Sequence, residues 1–309
     1  MTPAASCLVC GGGSLELQLN KNGYDICGCT QCGFQFVAPM PDEEFLSRFY
    51  QELDYFQSDG SFGYSDYEAR REIYLDSFRS HLRVLKGHSK GGRLLDLGCG
   101  NGEFLKLARE AGWEANGVEM SESCRQEAER RAGVRVYSSV HDLPGQSGSF
   151  DVITLWEVIE HLPQPDKVVG EVLPLLQPGG LLALTTPNTR NLTAQRFPTQ
   201  WAEYKPPEHL LFFDFKTIQQ YLSTRFNLQM VEVKGIHRDL RLASCDWIES
   251  ILGWALELRS RHETRLDPRW WVYAAFVRVL KEVPRRLSMT WGMLDPRLVD
   301  TGIFVLARK

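Results

Sequence analysis

The stretch LLDLGCGNGEFL, Leu94 to Leu105, places three glycines, Gly98, Gly100 and Gly102, at alternate positions directly after an apolar run. Glycine loses more backbone freedom on folding than any other residue, so glycines clustered in ordered structure mark a backbone that must turn tightly or be approached closely. The apolar run reads as a strand ending near Asp96, and the amphipathic EFLKLAREAG that follows reads as a helix starting near Glu103. A strand, a glycine turn and a helix form the opening unit of an α/β nucleotide-binding architecture.

The same alternation continues outward. EANGVE, VRVYSS, FDVITLWE and GGLLALTTPN read as further strands, and SESCRQEAERRAG and QPDKVVGEVLPLL as the helices between them. A helix near DFKTIQQYLSTR, N-capped by Asp214, leads into the strand LQMVEVKG, and TGIFVLARK supplies a last strand. Strands alternating with helices predict a parallel, doubly wound α/β sheet that binds ligands at the carboxyl ends of its strands. The expected organisation is a ribbon over residues 1–40, a helical cap and linker over 41–90, a core over 91–237, a helical insert over 238–297 and a final core strand over 298–309.

The turn carries an acidic residue, Asp96, two positions before its first glycine, and its spacing is not the G-x-G-x-x-G of a dinucleotide site. A pyrophosphate is best held at a helix N-terminus without nearby carboxylates. A carboxylate there suits a cationic sulfonium cofactor with an amino-acid tail, S-adenosylmethionine. Glu119, 17 positions after Gly102, ends the second strand, where a carboxylate can accept both ribose hydroxyls. GSFDVITLWEVIEHL and the Pro-Gly-Gly turn of LLQPGGLLALTTPN follow in order.

On these four linked motifs the sequence resembles the class I S-adenosylmethionine-dependent methyltransferases, nearest the small-molecule enzymes of ubiquinone and menaquinone biosynthesis. The resemblance covers about residues 91–237 and the last strand. It implies a seven-stranded Rossmann-like methyltransferase sheet and cofactor contacts at Asp96, Gly98, Gly100 and Glu119. Cys99, Gly102, Met120 and Trp156 flank those positions and are counted in the same set. After strand three, relatives often carry an adenine-contacting Asp; here Ser139 stands in SSVHDLP, with Asp142 or a backbone amide as the substitute.

A hydroxyl acceptor needs its proton removed by a base or by a metal that lowers its pKa. In WEVIEHL, Glu157, Glu160 and His161 follow strand four at helical spacing and could hold Mg²⁺ or a similar ion, as in some ubiquinone-biosynthesis enzymes that look alike here; the alternative is that Glu157 touches the cofactor side of the pocket while Glu160 and His161 stabilise the turn. In YKPPEHLLFFDF, Pro206 and Pro207 stiffen the chain and His209 is the candidate general base over the pocket mouth, against a histidine that merely packs the loop. The catalytic candidates are therefore His209, His161 and Glu157. Tyr64 and Tyr67 could close over the cofactor, and Trp201 and Tyr204 could line an acceptor pocket.

Five of eight cysteines fall within the first 32 residues. CLVC and CTQC pair Cys7 with Cys10 and Cys29 with Cys32, 18 residues apart, around an Asn22-Gly23 hairpin. That is the spacing of a four-thiolate structural Zn²⁺ site, a zinc ribbon, with Cys27 a spare or a competing ligand. Residues 238–297 interrupt the alternation with helices rich in Trp and Arg. They fit a lid, a homodimer interface, or a membrane surface contacted through residues 246–286.

The net charge of -4 argues against nucleic acid as the main partner. No apolar run reaches a bilayer span and MTPAASCLVC lacks signal-peptide character, so the expected location is cytoplasmic, with a membrane-peripheral variant. The sequence thus predicts O-methylation of a small-molecule acceptor such as a sugar, a glycolipid precursor or a secondary metabolite. The alternatives are a zinc-ribbon RNA methyltransferase and a non-catalytic zinc- or nucleotide-binding module.

Overall fold

The computed structural model describes residues 6–52, 67–143, 147–236 and 301–309. The chain begins with a hairpin, β1 (Leu15–Lys21) and β2 (Tyr24–Cys29). Asn22 and Gly23 turn it with φ of 52° and 82°. Two positive φ values in a two-residue loop match the right-handed twist of the strands they join. Then come β3 (Gln35–Val37), α1 (Glu43–Glu52) and α2 (Tyr67–His88).

The core follows as β4 (Arg93–Leu97), α3 (Glu103–Glu110), β5 (Glu114–Val118), α4 (Glu122–Ala132), β6 (Val136–Tyr137), β7 (Phe150–Trp156), α5 (Pro165–Val172) and β8 (Leu176–Pro187). It continues through α6 (Leu192–Arg196), β9 (Leu211–Phe212), α7 (Phe215–Phe226), β10 (Gln229–Ile236) and β11 (Gly302–Arg308). Local chemistry sets these limits. The Ser121 side chain accepts from Cys124 N to start α4, and Gly133 at φ 62° stops it. Asp214 and Thr217 form a reciprocal capping box on α7, and Asn227 in the left-handed region ends that helix.

Seven strands form one sheet in the order β10-β11-β8-β7-β4-β5-β6. From β4 the chain winds out through β5 to β6, then crosses back to β7 and β8. The order reverses between β4 and β7, and in a sheet of this topology the carboxyl ends of the strands at that point mark the place for a ligand crevice. The expected all-parallel sheet is corrected at one edge: β11 runs antiparallel to both β8 and β10. A strand entering between two neighbours from a distant segment need not obey the crossover geometry that keeps βαβ units parallel. The expected strand VRVYSS is only two residues long, because the chain turns at Ser139 into a single 3₁₀ turn.

The ribbon is not separate from this core. Its sheet has the order β1-β2-β3-β9, so β9 from the core supplies its fourth strand. Phe34 beneath β3 packs on Phe213 at 4.8 Å between ring centres, and both are fully buried. The Arg225 guanidinium on α7 donates twice to the Leu8 carbonyl, at 3.0 and 2.8 Å. No described helix is long and apolar enough to cross a membrane. The expected insert over 238–297 and Tyr64 lie outside the described residues, as does the Tyr67 side chain at the start of α2.

Candidate active site

The crevice has two walls. The first is the glycine turn. Gly98, Gly100 and Gly102 all have positive φ, at 69°, 52° and 82°. At Gly102 the reason is also steric: a Cβ there would sit 2.7 Å from the Cα of Ala128 on α4. The turn is tied to the next strand by Gly98 N and Cys99 N, which both donate to the Val118 carbonyl, at 2.8 and 3.1 Å.

Glu119 leaves β5 and turns its carboxylate into this loop. One oxygen accepts from Gly100 N and the other from Ser121 N, each at 2.9 Å. Burial raises the Glu119 pKa, opposed by these amides and by Arg125. Arg125 also donates to the carbonyls of Glu119 and Met120, which fixes the bend after β5. Met120 itself is 77% exposed, an apolar side chain left open beside the carboxylate.

Asp96 is buried on β4 and accepts at 2.6 Å from the Thr154 hydroxyl, its register partner on β7. Burial, with a smaller contribution from Glu119, pushes its pKa up to about 8. At neutral pH Asp96 is thus held largely as the acid, and a cation beside it would favour the carboxylate. Cys99 is buried behind the turn, and burial likewise raises its thiol pKa. Ser139 caps the 3₁₀ turn by accepting from His141 N at 3.2 Å, while exposed Asp142 accepts from Ser138 at 2.6 Å. Trp156 lies in a packed aromatic stack, with its ring 4.6 Å from His81 on α2 and 6.1 Å from Phe304 on β11.

The second wall lies beyond β7. Glu157 sits in the left-handed region at φ 55°, unusual for a residue with a side chain, and the chain then makes a short 3₁₀ turn, Ile159–His161. That break corrects one expectation. Helical spacing was to align Glu157 with Glu160 and His161, but the metal-ligating atoms that fall within 4.8 Å of one another belong to Glu160, His161 and His209. The His161 and His209 rings meet edge to face at 4.6 Å. His209 is buried beside His161, not set over an open pocket mouth, because Leu210 N donates to the Glu160 carbonyl at 2.8 Å and draws the segment inward.

The imidazoles share a tautomer logic. His161 Nδ1 lies 2.9 Å from the Glu208 carbonyl, and His209 Nδ1 lies 3.0 Å from the Glu203 carbonyl. A carbonyl only accepts, so each Nδ1 carries a proton and donates it there. Burial pushes the His161 pKa down to about 4, so its ring is neutral at pH 7. Glu160 is fully buried with neither carboxylate oxygen hydrogen-bonded in ordinary geometry, and burial plus the Glu157 charge raise its pKa well above normal. Burial works against the charge on Lys205, but Glu203 and Glu208 outweigh it and raise its pKa. The carboxyl groups of Glu160, Glu203 and Glu208 thus act on the one ammonium of Lys205, and Glu157 adds a further acidic group next to Glu160 and His161.

Trp201 and Tyr204 are both buried and pack edge to face at 4.6 Å, so they build the core behind this wall instead of lining an open pocket. In the ribbon, Cys7, Cys10, Cys29 and Cys32 bring their sulfurs within 4.8 Å of one another, and Cys27 stands outside that set. Lys21 donates to the Thr199 carbonyl and is therefore committed to the core. The sequence missed Thr154, His81 and the carbonyls of Glu203 and Glu208. Their roles depend on strand register and on a loop that returns some 40 residues later, and neither leaves a local pattern.

Comparison with known proteins gives the family and the fold. The sequence profile described as "Methyltransferase domain" matches residues 67–233, more than half of the 309 residues. The chain is 34% identical over 130 residues to a ubiquinone biosynthesis O-methyltransferase of Bordetella avium, covering 40% of this chain and 54% of that protein. It is 29% identical over 161 residues to the enzyme of the same name from Coxiella burnetii, covering 48% of this chain and 68% of that one. The chain spans about half the length of the first of these relatives. Among solved structures, a SAM-dependent methyltransferase from Archaeoglobus fulgidus superposes with a TM-score of 0.50 at 17% identity, over 87% of this chain and all of that one.

Proposed function

The chain belongs to the methyltransferase-domain family, and from that premise we propose that it transfers a methyl group from S-adenosylmethionine to a hydroxyl of a small molecule. The observation that carries this reading is the glycine turn closed on Glu119 beside a buried, proton-holding Asp96 at the point where the strand order reverses. When bound, S-adenosylmethionine would supply a methyl group already activated by a cationic sulfur. Glu119 would accept from its ribose, Met120 would cover apolar surface beside the base, and Asp96 would balance positive charge as it gives up its proton.

The second wall supports an oxygen acceptor. The imidazoles of His161 and His209 and the buried carboxyl of Glu160 make a donor set suited to a divalent transition ion such as Mn²⁺. Their two nitrogens favour such an ion over the Mg²⁺ expected for Glu157, Glu160 and His161. Such an ion would lower the pKa of an acceptor hydroxyl. The backbone carbonyls of Glu203 and Glu208 hold the two rings in the ligating tautomer. Glu160 and His209 are buried and His161 is half-buried, which limits the water that could compete at the wall. In the ribbon, four clustered thiolates support a closed structural Zn²⁺ site. Acceptor classes in keeping with this reading are sugars, glycolipid precursors and phenolic or other secondary metabolites; the ubiquinone-pathway relatives favour the last.

The test is a tritiated-methyl assay of the full chain against sugar nucleotides, catechols and polyprenyl phenols, with and without Mn²⁺. Label in an alkali-stable ether, lost in His209→Ala, supports the proposal. Failure to bind S-adenosylmethionine by calorimetry would refute it.

A further inference from the structure

The zinc knuckle and the buried cluster are joined by a short run of backbone. Cys29 N donates to the Phe34 carbonyl and Gly33 N to the Cys29 carbonyl, each at 2.8 Å, so the knuckle that carries Cys29 and Cys32 is closed on itself. The next residues are β3. Gln35 and Phe36 pair with Phe212 and Leu211 of β9. Val37 N donates to the Leu210 carbonyl at 2.9 Å, and Leu210 N donates to the Glu160 carbonyl at 2.8 Å. One peptide unit on either side of Leu210, a fully buried residue next to His209, is therefore clamped between the ribbon and the turn that carries Glu160 and His161.

Two side chains brace the same segment. The Tyr204 hydroxyl donates to the Gln35 carboxamide. Asn22 Nδ2, at the tip of the hairpin, donates to the Pro206 carbonyl at 3.0 Å. These contacts bracket residues 203–209, whose carbonyls orient the imidazoles of His161 and His209.

A structural zinc distant from the reaction would need only to hold its own ribbon together. Here the ribbon sheet is incomplete without β9, and β9 is continuous with His209. The Val37–Leu210 bond and both strand pairs of β3 with β9 follow directly after the knuckle in the chain. The glycine turn, β4, β5 and α4 share none of these contacts.

We propose that the four-cysteine site is a Zn²⁺ centre whose function is to position the Glu160, His161 and His209 cluster on the acceptor side of the crevice, with the peptide of Leu210 as the link. The inference rests on reading the thiolates as a zinc site and takes the cluster as described above. It makes Gln35 and Tyr204 positioning residues. It also divides the molecule: zinc governs the acceptor wall and leaves the cofactor wall alone.

The experiment uses the full chain. Zinc is first measured per chain, then released with a thiol-directed mercurial and a chelator. Amide exchange, S-adenosylmethionine affinity by calorimetry and Mn²⁺ affinity by electron paramagnetic resonance are compared before and after. The expected result is about one zinc per chain at the four thiolates. After its release, exchange in peptides covering 208–213 should speed up by at least about tenfold, while those covering 93–118 stay unchanged. Mn²⁺ affinity should fall about tenfold, with S-adenosylmethionine affinity unchanged within about twofold. Tyr204→Phe, which keeps every zinc ligand, should show a weaker form of the same split, and it covers the case in which the chain unfolds when zinc is released.

If exchange over 208–213 is unchanged when zinc leaves, the proposal is overturned. If the chain takes up neither Zn²⁺ nor Cd²⁺, the zinc reading falls and the proposal falls with it. If the zinc-loaded chain binds no Mn²⁺, it is the metal reading of the acceptor wall that fails, and the exchange data still decide the coupling.

Discussion

Asp96→Asn tests the cofactor wall through its proton. The Asp96 carboxyl is buried on β4 with a pKa pushed up to about 8, so at pH 7 the free protein holds it about 90% protonated. Its pKa is raised on folding. The protonated group therefore favours the fold below about pH 4, and that contribution is lost as the pH rises toward 8, by up to about 5 kcal/mol at about 1.4 kcal/mol per unit.

A cofactor that brings positive charge to Asp96 reverses this preference. Binding should expel the proton, and affinity should climb about tenfold per pH unit between about pH 5.5 and 7.5. Calorimetry in buffers of differing ionisation enthalpy reads the proton count directly. Wild type should release about one more proton at pH 6.5 than Asp96→Asn, whose affinity should be nearly flat over the same range. Glu119, also raised by burial, supplies whatever release remains in the variant. Equal proton release in the two proteins would refute the argument, because it would mean that Asp96 does not meet the cofactor's charge.

Three further outcomes are expected. Gly102→Ala must adopt φ 82° and drive a Cβ to 2.7 Å from the Ala128 backbone, and left-handed strain plus overpacking should cost about 2–5 kcal/mol in urea denaturation. Gly98→Ala meets only the end of the Val158 side chain, at 2.6 Å, and should lose less stability than Gly102→Ala. Glu119→Ala removes the acceptor for Gly100 N and Ser121 N along with the ribose partner; S-adenosylmethionine affinity should drop about 100-fold by calorimetry, as expected for losing two hydrogen bonds to a charged group.

Features that depend on neighbours along the chain were legible in the residues alone. The glycine turn, the order of strands and helices, the Asp214 cap and the two cysteine pairs all lie within a few residues of the chemistry that specifies them. Backbone sterics and capping act over that same range. The antiparallel β11 was not legible, because an amphiphilic strand has the same side-chain period in either direction. Nor was the second wall. WEVIEHL has helical spacing, yet the positive φ at Glu157 breaks the helix before it forms, and the third member of the cluster is His209, 48 positions beyond His161. Only packing decided that pairing: β3 of the ribbon took β9 as its edge partner, and in doing so pressed Leu210 against Glu160. Contacts of that range are set by which buried surfaces fit together and which backbone amides would otherwise be left without acceptors.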